Sequence, residues 1–197
     1  MTAPNPCFMH GDLSFIERII QSLANAGITH IIINVSWLKA QIVERLGDKH
    51  HDIPITYSDE GEIPLGTGGG IKRALPYLGD QRFLVINADV YTDWCPDRLC
   101  PLAPHDLAHL ILTVPPDGAH GDFSLDHHTV IPGKDWTFCG IGYYSPDLFR
   151  RIGRDIFPLT DVLHPAIRKQ RVSGQVYRGR WLDIGTPAAL EKARRLE

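Results

Sequence analysis

The sequence predicts an α/β fold, a Rossmann-like, mixed and mainly parallel sheet flanked by helices. Two observations carry the prediction. Short β-branched apolar runs alternate with segments of helical period through the first half of the chain, the order that builds a parallel sheet with right-handed crossover helices. A glycine closes the first two helical segments, Gly27 and Gly47, as helix ends require. With 197 residues and 43% hydrophobic content, the chain can bury a continuous core, and residues 1–197 are expected to form a single domain.

Each element follows in order. Ile16, Ile19, Ile20 and Leu23 recur at helical spacing, with Asp12 or Ser14 as the N-cap. Residues 28–35 are a short β-branched run suited to a buried parallel strand. Leu38, Ile42, Val43 and Leu46 define a second helix, and residues 53–57 the next strand. The run Gly66-Thr67-Gly68-Gly69-Gly70 leads into a helix carrying Ile71, Ala74, Leu75 and Leu78. Residues 83–86 form a buried strand that ends in Asn87-Ala88-Asp89. The second half is more mixed, with strands at 107–114, 121–125, 129–131, 137–144 and 172–177 and helices at 146–152 and 159–169. A last strand, 181–184, precedes a helix opened by Thr186-Pro187, with proline at its first position.

Composition narrows the function. Twenty Lys+Arg against twenty-three Asp+Glu give a formal net charge of −3, which offers no electrostatic case for nucleic acid or an anionic membrane. Ile31-Ile32-Ile33 stops at Asn34, far short of a membrane span. The opening Met1-Thr2-Ala3-Pro4 has no signal-peptide pattern, so a cytoplasmic protein is expected. Cys95 and Cys100 are too far apart for a CxxC motif, Cys7 and Cys139 stand alone, and all four are expected to be reduced thiols. His105 and His109 have the spacing of zinc ligands on a helix but run into a strand-like segment, so solvated surface histidines are expected.

Two features fall where open α/β sheets bind ligands, beyond the carboxyl ends of strands. The glycine-rich run at residues 66–70 lets a ligand approach the backbone, and a tight turn explains it equally well. Asp89 ends an apolar strand, and Asp183 lies between Leu182 and Ile184. Such carboxylates need a partner. Together they would hold Mg²⁺, which takes one or two carboxylates plus substrate phosphates; a structural hydrogen bond or N-cap is the alternative for each. Trp37, Trp94 and Trp136 carry no assigned role. Arg178 and Arg180, around Gly179, read either as solvated surface residues or as positive charge near that metal.

The segments Ala26-Gly27-Ile28-Thr29, Ile33-Asn34, Leu65-Gly66-Thr67-Gly68-Gly69-Gly70-Ile71, Ile86-Asn87-Ala88-Asp89, Thr137-Phe138-Cys139-Gly140-Ile141 and Trp181-Leu182-Asp183-Ile184-Gly185-Thr186-Pro187 occur in this order. Their order and spacing resemble the sugar-1-phosphate nucleotidyltransferases, and most of all the branch that transfers uridylyl to N-acetylmuramate 1-phosphate in cell-wall recycling. The resemblance runs from about Leu13 onward. It implies a fold of the nucleotide-diphospho-sugar transferase type, transfer of a nucleotidyl group from an NTP (UTP by preference) to a sugar 1-phosphate, and release of pyrophosphate. It further implies Asp89 and Asp183 as Mg²⁺ ligands, Thr67, Gly68 and Gly69 against the nucleotide, and Asn87 and Gly140 facing the sugar.

The likeness has gaps. Family members open with a strand and a loop of the form Leu-Ala-Ala-Gly-x-Gly-x-Arg-Met, and then Lys-Pro. The chain is expected to lack this first strand and loop, and Asn5-Pro6 stands where Lys-Pro is anticipated. Phe157-Pro158-Leu159 occupies a position that often carries Lys or Glu. Loss of these cations would weaken triphosphate binding by several kcal/mol, at about 1.5–3 per charge-assisted hydrogen bond. Loss of the strand would leave the strands at 28–35 and 83–86 with open edges, to be met by each other, by residues 6–9 or by a homo-oligomer partner. The competing reading is a catalytically impaired family member that binds a sugar phosphate or nucleotide in a regulatory role. A plain dinucleotide-binding domain is disfavoured, since no GxGxxG follows a first strand.

Overall fold

The computed structural model describes residues 9–10, 13–96 and 102–195. The expectations for Asn5-Pro6, Cys7, Asp12 and Cys100 lie outside the described residues, as does most of the 6–9 segment.

In chain order the elements are β1 (Met9–His10), β2 (Leu13–Ser14), α1 (Phe15–Asn25), β3 (Ile31–Val35), α2 (Lys39–Leu46), β4 (Lys49–His50) and β5 (Ile53–Asp59). Then come α3 (Gly66–Leu78), β6 (Phe83–Ile86), β7 (Val90–Thr92), β8 (Ala108–Thr113), β9 (Phe123–Asp126), β10 (Thr129–Pro132) and β11 (Thr137–Tyr144). A 3₁₀ turn (Pro146–Leu148), α4 (Thr160–Arg168), β12 (Val172–Val176), β13 (Trp181–Asp183) and α5 (Pro187–Arg194) complete the chain. The α/β class is as the sequence predicts, and the sheets are mixed. Parallel ladders join β3 to β5 and β8 to β12, and the other ladders among the described residues are antiparallel.

The fold groups into two compact units: Met1–Pro64 with Ala88–Leu99 and Arg180–Glu197, and Leu65–Asn87 with Cys100–Gly179. In the first, β3, β5 and β4 form one sheet and β13 and β7 another. The apolar stripe of α1 buries Phe15, Ile16, Ile20 and Leu23. Glu17 is buried on the same helix and accepts both Nε (3.0 Å) and Nη2 (2.9 Å) of Arg45 on α2. Two-pronged pairing of this kind is what allows a carboxylate to sit inside a core. Ile184, Leu190 and Ala193 pack with Phe15, with Tyr91 and Leu182 against them.

The second unit is built on one six-stranded sheet in the order β6-β11-β8-β12-β10-β9. β6, β8 and β12 run the same way, with β11 reversed between the first two. All six residues of β8 are buried, as expected for a strand covered on both faces. Leu110, Leu112, Val130, Tyr144, Phe149, Phe157 and Leu163 lie at the centre of this core.

The strands expected to have open edges are indeed terminal: among the described residues, β3 pairs only with β5 and β6 only with β11. No described helix is long and apolar enough to cross a membrane. The surface-histidine expectation is corrected for His109, which is 4% exposed on β8. Its Nδ1 lies 3.0 Å from Ser173 Oγ, which in turn donates to Asp106 Oδ2 at 2.6 Å. Burial holds the imidazole below its ordinary pKa against the opposing pull of Gln175 and Asp106. No cluster of three or more His, Cys, Asp or Glu side chains able to hold a metal occurs among the described residues. Neither Cys95 nor Cys139 forms a disulfide, and burial pushes the Cys139 thiol up to about 12.

Truncating the central core residue of the large sheet, Leu110→Ala, is expected to lower unfolding stability by roughly 2–5 kcal/mol, the cost of a buried leucine cavity. Urea denaturation followed by circular dichroism measures it.

Candidate functional site

In the first unit, Asp89 and Asp183 are brought together by the pairing of β7 with β13. That ladder aligns Val90 with Asp183, and the Asp89 carbonyl accepts Ile184 N–H at 2.8 Å. A side chain added at Gly185 would place its first carbon 3.1 Å from Asp183 Oδ1 and 3.7 Å from Asp89 Oδ2. Both carboxylates therefore flank one point, and their oxygens are no further apart than those two lengths end to end. The far end of the ladder is pinned by Arg180, whose carbonyl accepts Thr92 Oγ1 at 2.8 Å and whose N–H donates to Asp93 Oδ1 at 2.7 Å. After Asp183 the chain turns into α5, with Thr186 capping Ala189 N–H at 3.2 Å.

The electrostatics follow from this closeness. Burial, and then the charge of Asp183, push the Asp89 carboxyl above its usual range. Neither acid makes an ion pair among the described residues, while Asp183 Oδ1 accepts Gly185 N–H at 2.9 Å. Two hard oxygen donors on one side, with their charge unbalanced, suit a divalent cation that completes its shell with water and phosphate. The two acids fit Mg²⁺ in number and type.

In the second unit, Asn87 and Gly140 meet. Asn87 N–H donates to the Gly140 carbonyl at 2.8 Å. Gly140 has φ +73° and lies in a bulge, where the β11–β8 register shifts between Phe138 and Gly142. A Cβ there would stand 3.0 Å from the Asn87 Cβ and Nδ2. Glycine is thus required twice, by its dihedral and by the carboxamide beside it.

The glycine run has a different surrounding from the one its sequence suggests. The helix begins within the run, at Gly66, and Gly68, Gly69 and Gly70 are buried in its first turns. A Cβ at Gly68 would lie 2.5 Å from the Phe157 ring, and one at Gly69 would lie 2.1 Å from the Asp155 carbonyl. Gly69 N–H donates to the Phe157 carbonyl at 3.1 Å, and Phe157 N–H to the Leu65 carbonyl at 2.9 Å. The chain's own 155–157 segment makes the close approach. Lys72 fastens it, donating to Asp155 Oδ1 at 2.8 Å and to the Arg154 carbonyl at 2.9 Å. Thr67, by contrast, is exposed. The sequence signal for this clasp was three glycines in one helical turn, but nothing local identified what packs against them.

No family model matches the chain. It is 40% identical over 207 aligned positions to the N-acetylmuramate alpha-1-phosphate uridylyltransferase of Neisseria meningitidis serogroup B, covering 99% of this chain and 90% of that protein. It is 27% identical to the D-glycero-alpha-D-manno-heptose 1-phosphate guanylyltransferase of Campylobacter jejuni, over 93% of this chain and 86% of that one. Among solved structures, HddC from Yersinia pseudotuberculosis superposes with a TM-score of 0.81 at 22% identity, covering 97% of this chain and 88% of that one. The same protein has been crystallised with GMP-PN. The chain belongs to the sugar-1-phosphate nucleotidyltransferases.

Two outcomes are expected from these contacts. Gly69→Ala forces the Asp155 carbonyl aside and should cost about 1–3 kcal/mol, as overpacking does, measured by urea denaturation. Asp89 has a raised folded-state pKa, so its contribution to stability is intact in acid and is lost as pH rises through that pKa. Asp89→Asn should therefore melt higher than the parent at neutral pH, with the gap closing on acidification into the carboxylate range. Thermal melts across pH in the absence of divalent cations test the sign.

Proposed function

We propose that the chain transfers a uridylyl group from UTP to N-acetylmuramate 1-phosphate. An oxygen of the sugar phosphate bonds to the α-phosphorus of UTP, the bond from that phosphorus to the bridging oxygen breaks, and pyrophosphate leaves. The choice of base and sugar rests on the likeness to the meningococcal uridylyltransferase, which extends over nearly the whole length of both chains. The observation that carries the chemistry is the pairing of Asp89 with Asp183.

Within this reading Asp89 and Asp183 hold Mg²⁺. When bound, the ion neutralises charge that develops on the phosphoryl oxygens during displacement. Asp89, whose carboxyl is raised by burial and then by the charge of Asp183, would be favoured in its ionised form by a bound cation. The Asn87 carboxamide, lying against Gly140, orients the sugar. Thr67 presents an exposed side chain to the nucleotide, while Gly68 and Gly69 set the backbone path beneath it. No covalent nucleophile is required, since positioning and charge neutralisation account for the rate.

Pyrophosphate release with UTP, N-acetylmuramate 1-phosphate and Mg²⁺ tests the proposal. Turnover is expected, falling by at least about a hundredfold in Asp89→Asn and in Asp183→Asn, and ceasing with a chelator. Turnover that survives either substitution removes the paired acids from the reaction. Faster reaction with GTP or with a neutral sugar 1-phosphate overturns the choice of substrates.

A further inference from the structure

A second charged feature stands on the second unit. The Arg178 guanidinium lies 5.6 Å from the centroid of the Trp136 ring. Arg178 is exposed and Trp136 half-buried, packed against the core. Arg178 makes no ion pair among the described residues. Some other cations of the second unit are differently placed: Lys72 is matched by Asp155, Arg150 by Asp80 and Asp147, and Arg154 by Asp161. Two acids beside Trp136 are also occupied: Asp135 precedes it and accepts the Ser124 hydroxyl, and Asp122, whose N–H donates to the Trp136 carbonyl at 2.7 Å, accepts Phe138 N–H at 2.8 Å. An arginine held over an indole loses less freedom on binding and keeps its planar fork open.

The sheet register fixes where this guanidinium stands. β6, β8 and β12 end on the same side. Asn87 follows β6, and Arg178 follows β12 by two residues, after Tyr177 N–H has donated to the Leu112 carbonyl at 2.7 Å. Trp136 immediately precedes β11, whose Thr137 faces Thr113 at the end of β8. It is four residues from Gly140, at most about 13 Å along an extended strand. Arg178, Trp136, Gly140 and Asn87 thus share the carboxyl-end rim of one sheet, the side on which such sheets bind ligands.

We infer that Arg178, stacked on Trp136, is a specificity-determining residue that binds a carboxylate carried by the sugar substrate. This rests on the sugar reading above, where N-acetylmuramate differs from N-acetylglucosamine by a carboxylate-bearing ether. A planar guanidinium matches the two oxygens of a planar carboxylate in a way a point charge does not. The sugar's phosphate carries the same kind of anionic oxygen, and the test separates the two sources.

Steady-state kinetics compare the full chain with Arg178→Gln and Arg178→Lys, using UTP and either N-acetylmuramate 1-phosphate or N-acetylglucosamine 1-phosphate. Arg178→Gln is expected to raise KM at least about tenfold more for the first sugar than for the second, through lost charge-assisted hydrogen bonds, with the change in KM rather than kcat. Arg178→Lys should recover part of the difference. Titration calorimetry with N-acetylmuramate 1-phosphate reads the same contact without turnover, so an inactive parent would count against the proposed reaction alone. Equal weakening for both sugars assigns Arg178 to the phosphate and overturns the inference, as does unchanged binding of both.

Discussion

Two carboxylates that would repel one another are held side by side by a three-residue antiparallel ladder. β7 and β13 come from parts of the chain some ninety residues apart, and their pairing leaves Asp89 and Asp183 flanking one point. Burial, and then the charge of Asp183, raise the Asp89 carboxyl and so cost stability. Proteins keep such costs where function requires them. The supports around the pair are correspondingly firm: Ile184 is 1% exposed beneath the ladder, Arg180 closes one end, and Thr186 starts a capped helix at the other.

Glycine has separate meanings at the two places where the sequence marked it. At Gly140 the positive φ and the bulge bring the backbone against Asn87, whose carboxamide occupies the space a side chain would take. At Gly68 and Gly69 the missing side chains admit the 155–157 segment, and the phenylalanine that stands where a charged residue was anticipated fills that space. Phe157 is 2% exposed, so its role is to pack the helix rather than to contact phosphate. Both cases concern close approach, by a carboxamide in one and by a distant segment of the chain in the other.

Much of the fold was legible because its signals are local. β6 and β11 match their apolar runs residue for residue, and α5 begins at Pro187 behind a threonine cap as anticipated. β3 starts later than residue 28 because Gly27, at φ +80°, ends α1 with Ile28 N–H bonded back to the Leu23 carbonyl at 3.0 Å, so Ile28 still belongs to the helix end. The helix expected at 146–152 is only a 3₁₀ turn, with Ser145 accepting Asp147 N–H at 3.4 Å. β7 was invisible, since three residues carry no period and only their distant partner makes them a strand. Of the candidate site, Asp89, Asp183, Asn87 and Gly140 were legible through motif likeness. The partners at Phe157, Asp155 and Trp136 were not, because long-range contacts set them.

β11 supplies Gly140 and also Cys139, Ile141 and Tyr144, all 0% exposed at the heart of the large sheet. Few residues along this strand are free to drift, since a change that altered selectivity there would first loosen the core. Divergence toward new sugars within this lineage should therefore accumulate at the strand ends, on exposed positions such as Arg178, while the bulged strand itself stays frozen.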